Sequence, residues 1–173
     1  RGGHDLPFAF VYVYSDSGDD AAIACRHGAD QATAFAPDRL DCLRDDLPWP
    51  VRQVRDTGEP VVLRGLERRF SRLPAGPWNV MPDEAVILPL ATSTDAFAAG
   101  FIVAGLNPHR RHDPAYRDFL AALASQIATG LARVRRRETE RRRVESLIEH
   151  ERALRTDAEN LARALRESSE RLS

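Results

Sequence analysis

The last third of the sequence, residues 113–173, most constrains the fold, because it can form one unbroken helix. It contains no proline after Pro114 and a single glycine, Gly130. About sixty helical residues would span on the order of 90 Å, far more than a small domain can cover. From residue 144 onward, apolar residues follow a seven-residue repeat: Val144, Leu147, Leu154, Ala158, Leu161, Leu165 and Leu172. This pattern predicts a coiled coil whose seam is a homodimer interface.

The predicted seam is uneven along its length. Glu151 occupies an a position of the heptad and Ser168 a d position, so we expect marginal rather than rigid pairing. The ten-residue interval between Val134 and Val144 breaks the heptad phase, and such a break can act as a hinge in register. The alternative interpretation is a helix that only links two domains.

Composition excludes several classes of partner for the rest of the chain. Residues 1–132 carry 13 Arg against 17 acidic residues, so we predict no nucleic-acid partner. No apolar run is long enough to cross a membrane. The two cysteines, Cys25 and Cys42, form neither a disulfide framework nor a zinc motif, which favours a cytoplasmic location. The seven arginines among residues 133–143 are predicted to be solvated, because no aromatic residues accompany them.

Short runs of β-branched and aromatic residues predict strands ahead of the long helix. The predicted strands are residues 7–14, 21–27, 59–63, 85–91 and 97–106, and a short helix is predicted at residues 49–57. Gly58 is predicted to end that short helix. Asp113 is predicted to cap the long helix, with Pro114 in its first turn. Residues 28–46 and 64–82 are predicted to be irregular. Short links between strands favour an α+β fold, an antiparallel sheet with helices packed on it.

Within the long helix, residues 119–134 carry an apolar stripe that is predicted to pack on the sheet. The stripe consists of Phe119, Leu120, Leu123, Ile127, Leu131 and Val134.

Four segments, in this order and spacing, resemble the GAF domain. They are residues 57–62 (TGEPVV), 86–90 (VILPL), 99–105 (AGFIVAG) and 119–132. Residues 7–12 (PFAFVY), 48–50 (PWP) and 116–120 (YRDFL) are similar to GAF domains of bacterial sensor histidine kinases and related multidomain signalling proteins. The resemblance covers residues 6–134 and leaves residues 135–173 as a coiled-coil signalling helix that leads to a downstream module. It implies a helical layer on one face of the sheet, a ligand pocket under loops on the other, and homodimerisation through the terminal helices.

These features together predict a non-catalytic regulatory sensor and dimerisation module of a bacterial two-component system. A change of state would pass through the paired C-terminal helix to an output domain in the same polypeptide. The alternative is a structural dimerisation spacer with no ligand. An enzyme is disfavoured, because the sequence contains no nucleophile–base pair, glycine-rich phosphate loop or metalloprotease motif.

The loop at residues 64–81 supplies the candidate pocket residues Arg64, Phe70, Trp78 and Met81. They could shelter an aromatic or anionic small molecule, or they could simply fill the cavity. We predict no cofactor. The Cys-His dipeptide of bilin-binding members is absent, and the cyclic-nucleotide signature requires a lysine that this chain lacks. No metal site is predicted either, because His109 and His112 have no further ligands nearby.

Overall fold

The computed structural model describes residues 6–30, 33–92, 98–110 and 112–171, the last five of these by their backbone only. The chain divides into two compact units, and the division falls between Ala132 and Arg133. No helix in the part of the chain that the structure describes is both long enough and apolar enough to cross a membrane.

The first unit is built on an antiparallel sheet. Its strands among the described residues are β1 (Ala9–Tyr14), β2 (Asp20–His27), β3 (Arg39–Asp41), β4 (Val61–Arg64), β5 (Glu84–Leu90) and β6 (Gly100–Gly105). Two short α-helices, α1 (Val51–Thr57) and α2 (Leu66–Arg69), and a 3₁₀ turn at Gly76–Trp78 lie between the strands. The helix α3 spans Pro114–Arg171 and contributes residues to both units.

The strand order is β3-β2-β1-β6-β5-β4, and every neighbouring pair is antiparallel. The first and last strands therefore pair at the centre of the sheet, where Ala9 lies opposite Ala104. In the pairing of β5 with β6, Ala85 lies opposite Gly105. The beginning of β5 consequently lies beside the end of β6 and the turn that leads to α3.

Side chains of the central strands alternate between the two faces of the sheet, and both faces are buried. Val86 and Leu88 of β5 belong to a cluster with Tyr116, Leu120 and other residues of α3. The intervening residues of the same strand pack into a second cluster, which includes aromatic side chains of β1 and residues of α1. Because both faces of β5 are covered, its sequence is almost continuously apolar. The helix therefore covers one face, and the connecting segments with α1 cover the other.

Two predicted helix boundaries are confirmed, namely the end of α1 at Gly58 and the start of α3 at Asp113. Gly58 has a left-handed backbone with φ of 68°, and its N–H donates a 2.9 Å hydrogen bond to the carbonyl of Val54. Only glycine adopts that conformation without a steric penalty. At the start of α3, the Asp113 side chain accepts a 2.8 Å hydrogen bond from the backbone N–H of Tyr116. This bond satisfies one of the backbone donors that a helix leaves unpaired in its first turn.

The structure confirms the predicted antiparallel α+β fold and adds three short elements to it. β3 lies within residues 28–46, where the sequence predicted irregular structure. This strand pairs with β2 through three residues only, too few for a period-two pattern to be recognised. The helix α2 and the 3₁₀ turn lie within the loop predicted at residues 64–82. Phe97, predicted to begin the last strand, lies outside the described residues.

Candidate functional site

Aromatic side chains fill the sheet face that the sequence resemblance associates with a ligand pocket. Trp49 is buried, and its indole N–H donates a 2.6 Å hydrogen bond to the backbone carbonyl of Phe35. Phe70 packs on Trp49 with 4.9 Å between ring centroids, and Phe8 packs on it at 5.9 Å. Phe70, one of the four candidate pocket residues, is therefore partly buried and packs against the core on this face, as Met81 also does.

The other candidate pocket residues have different surroundings. Trp78 ends the 3₁₀ turn and is half-buried. Arg64 and Met81 line an open cleft of about 550 Å³. The structure thus brings together Arg64 and Met81 and places Phe70 against the core beside Trp49. Ligand binding by any of the four residues stays a prediction.

This cleft, which we call the β5–α3 cleft, lies at one end of the sheet. One wall comes from the end of β4 and the residues leading into β5, namely Arg64, Val80, Met81, Asp83 and Glu84. The other wall comes from the end of β6 and the turn before α3, namely Leu106, Asn107, Pro108, Arg110 and His112. Sequence reasoning missed most of these residues. The antiparallel pairing of β5 with β6 is the signal that could have found them, because it brings residues 83–84 beside residues 106–108.

The charged groups of the β5–α3 cleft are of both signs. Arg64 forms an ion pair with Glu84, with 2.9 Å between Nε of the arginine and Oε1 of the glutamate. The guanidinium of Arg110 lies 4.5 Å from the ring centroid of Tyr116, a cation–π contact. Tyr116 is buried in the first turn of α3, and its hydroxyl accepts a 3.3 Å hydrogen bond from the backbone N–H of Asn107. Side chains of the cleft are therefore in direct contact with the beginning of the long helix.

The candidate dimer-interface residues lie in the second unit, where they are exposed. The described members of this set are Val144, Leu147, Leu154, Ala158, Leu161 and Leu165. The exposed fraction of the valine and the four leucines ranges from 47% at Val144 to 63% at Leu165, and Ala158 is also exposed. Leu172, the last predicted member, lies outside the described residues. Sequence reasoning missed Ile148, which is 42% exposed and follows Leu147 at an e position beside the seam.

The exposed helix of the second unit is supported by ion pairs between successive turns. Arg142 pairs with Glu138, and Arg155 pairs with Glu159 at 3.2 Å. Pairs at this spacing add about 0.2–0.5 kcal/mol each to helix stability. These ion pairs stabilise the single helix, but they do not account for its exposed apolar seam.

Burial changes the chemistry of three groups in the first unit. Burial raises the pKa of the Cys42 thiol from its ordinary value of 9.0 to about 11. It also raises the pKa of the hydroxyls of Tyr12 and Tyr14 well above the ordinary range. Cys25, by contrast, is exposed on β2. Within the described ranges, no group of three or more His, Cys, Asp or Glu side chains is arranged to hold a metal ion.

Solved structures of GAF domains are similar to this chain. The GAF domain of a phosphoenolpyruvate-protein phosphotransferase from Acinetobacter aligns with a TM-score of 0.51 at 13% identity, over 74% of this chain and 72% of that one. Residues 122 to 287 of a methyl-accepting chemotaxis protein align with a TM-score of 0.51 at 14% identity, over 74% and 79%. The second GAF domain of DevS from Mycobacterium smegmatis is 20% identical, with a TM-score of 0.49 over 76% and 86%.

No protein-family model matches the sequence, and no curated protein is detectably similar to it. At these identities the structural similarity establishes the fold. The chain has the GAF fold, as the sequence resemblance predicted.

Proposed function

We propose that this chain is a non-catalytic regulatory sensor and dimerisation module of a multidomain bacterial signalling protein. The GAF-like domain (residues 6–134) would respond to a signal, and the helix (residues 135–173) would pair with that of a second copy. The paired helices would relay the change to a downstream output domain, such as that of a cytoplasmic sensor histidine kinase. A domain with the same fold occurs in a methyl-accepting chemotaxis protein, which supports a signalling context.

The single observation that carries this proposal is the exposed apolar seam of α3. Leu147, Leu154 and Leu161 recur at seven-residue intervals, and each is more than half exposed. Burying one leucine side chain contributes about 1.5–3 kcal/mol. Seven-residue spacing places these side chains along one stripe that a second, similar helix can cover. A paired helix therefore explains both their spacing and their exposure.

Relay requires that the paired segment be connected to the domain that senses. Tyr116, Leu120, Ala124 and Ala128 of α3 are buried in the cluster that covers one face of the sheet. The same helix continues to Arg171 and carries the seam. A change in packing on that sheet face would shift or rotate the helix and thereby bias the register or splay of the pair.

A structural dimerisation spacer is the second candidate function. The filling of the loop-side face by Trp49 and Phe70 favours it, because these side chains occupy space that a ligand would need. A spacer would dimerise through the same seam without responding to a small molecule. Native mass spectrometry and thermal shift against a metabolite panel separate the two candidates. A ligand that binds and stabilises the protein supports the sensor, and none supports the spacer.

Sedimentation equilibrium of a matched pair of variants tests the paired helix. Leu154→Asp places a charge in the seam, whereas Ala153→Asp places the same charge at the neighbouring, outward c position. We expect a dimer for the wild type and for Ala153→Asp at micromolar concentration, and a monomer for Leu154→Asp. A wild type that stays monomeric at high micromolar concentration contradicts the proposal, as does equal loss of dimer in both variants. Circular dichroism checks that each variant remains helical.

A further inference from the structure

We propose that the β5–α3 cleft binds a small zwitterion with an apolar side chain, of the class of aliphatic α-amino acids. Trp49 and Phe70 do not line this cleft, and Met81 lines it while also packing against the cluster that contains Trp49. Its volume of about 550 Å³ lies within the range of about 300–1,000 Å³ that is usual for small-molecule sites.

The charges that line the cleft favour a ligand that carries both signs. Arg64 and Glu84 already neutralise each other in their ion pair. Asp83 and Arg110 remain, and among the described residues neither has an ion-pair partner. A simple anion would meet the carboxylate of Asp83, and a simple cation would meet the guanidinium of Arg110. An α-amino acid satisfies both, because its ammonium group can pair with Asp83 and its carboxylate can pair with Arg110.

The apolar part of the lining suits an aliphatic side chain. Val80 is 46% exposed, Met81 is half-buried, and the buried Leu106 also lines the cleft. Covering Val80 with an aliphatic side chain removes apolar surface from water. The flexible thioether of Met81 can adapt to differently branched side chains. The lining thus combines this apolar surface with the Arg64–Glu84 ion pair and with the charges of Asp83 and Arg110.

A ligand bound in this cleft would reach the long helix through Tyr116, because Asn107, Arg110 and His112 of the lining all contact that residue. Arg110 stacks on the ring of Tyr116, and Tyr116 is buried in the first turn of α3. A carboxylate that draws the Arg110 guanidinium towards the cleft would weaken or reorient that contact. Binding at the cleft does not depend on dimerisation, whereas its role as a signal rests on the proposed function.

Isothermal titration calorimetry of the whole chain with three related probes tests the binding. The probes are L-leucine, isoamylamine, which lacks its carboxylate, and 4-methylpentanoate, which lacks its ammonium group. We expect L-leucine to bind with a Kd below about 1 mM and each analogue to bind at least about tenfold more weakly. No heat of binding with L-leucine at about 10 mM overturns the proposal, and equal affinity for all three probes overturns the zwitterion class.

Two conservative substitutions test the location of the ligand. Arg110→Gln should weaken L-leucine about tenfold but should not weaken isoamylamine, because it removes the partner of the carboxylate and the charge that opposes a simple cation. Asp83→Asn should weaken L-leucine similarly but should not weaken 4-methylpentanoate, because it removes the partner of the ammonium group and the charge that opposes a simple anion. Arg117→Gln, on an exposed residue of α3 outside the cleft, is the matched control and should bind as the wild type does. Binding that neither Arg110→Gln nor Asp83→Asn alters overturns this site.

Sedimentation of the same samples separates this proposal from the proposed function. A monomer that still binds L-leucine through Arg110 and Asp83 supports the cleft and contradicts the paired helix. A dimer whose titrations show no binding contradicts the cleft and leaves the paired helix standing.

Discussion

Gly105 lies directly against the aromatic ring of Phe8. A Cβ atom on Gly105 would come within 2.6 Å of Cε1 of that ring, which is itself fully buried. The backbone N–H of Gly105 also donates a 3.0 Å hydrogen bond to the carbonyl of Phe8. The end of β6 and the residues before β1 therefore approach each other at a distance that only glycine permits.

We predict that Gly105→Ala lowers the free energy of unfolding by about 1–3 kcal/mol, because the Phe8 ring would have to move within a packed core. Gly130→Ala is the matched control. No atom lies within 4 Å of a Cβ at Gly130, and alanine in a helix interior is about 1 kcal/mol more favourable than glycine. Urea denaturation of both variants measures the difference. An equal change in the free energy of unfolding from the two substitutions would contradict the requirement for glycine at residue 105.

Trp49→Phe should destabilise the first unit by about 1–3 kcal/mol. The substitution removes the indole N–H that donates to the carbonyl of Phe35 and reduces the packing surface beneath Phe70. Trp78→Phe, at a half-buried position in the 3₁₀ turn, should change stability by less, about 0.5 kcal/mol. Thermal or urea unfolding followed by circular dichroism compares the two variants. A larger loss from Trp78→Phe would show that Trp49 is not the main aromatic anchor.

Glu151→Leu should tighten dimerisation by about tenfold or more, which corresponds to about 1.4 kcal/mol. Glu151 occupies an a position between Leu147 and Leu154, where a carboxylate replaces an apolar contact. The control is Glu149→Leu, at the outward f position two residues earlier. Sedimentation equilibrium gives both dissociation constants. If Glu149→Leu strengthened the dimer as much, the heptad assignment would be wrong.

Alkaline pH should destabilise the first unit. Because burial raises the pKa of folded Cys42 to about 11, the folded state holds this proton more tightly than the unfolded state does. The corresponding stabilisation is complete below the ordinary thiol value of 9.0 and is lost progressively as the pH rises to about 11. The hydroxyls of Tyr12 and Tyr14 act in the same direction above their ordinary value of 10.0.

Urea denaturation at several pH values between about 8 and 11 measures this loss of stability. Cys42→Ala should make the fall with pH shallower, whereas Cys25→Ala, at an exposed position, should leave it unchanged. A fall of equal steepness in the wild type and in Cys42→Ala would rule out the buried thiol as a contributor.

Much of the fold could be predicted from local sequence. The strand β1 is a run of aromatic and β-branched residues, and β5 and β6 are almost continuously apolar. Gly58 and Asp113 mark helix ends by their own backbone and side-chain chemistry. The three residues of β3 carry no comparable signal, because β3 forms only where β2 offers a partner. The candidate pocket residues stay a prediction. Arg64 and Met81 line one cleft, but no local pattern shows that Phe70 packs on Trp49.

Local residue patterns specify the apolar strands of the sheet, the capped start of α3 and the seven-residue repeat of its seam. Each depends on residues within a few turns or a few strand positions, so the chain specifies them locally. Which distant groups share a site depends instead on how the strands pair. Asp83 and Arg110 line one cleft because β5 and β6 pair antiparallel, and this pairing is stabilised by apolar burial on both faces of the sheet.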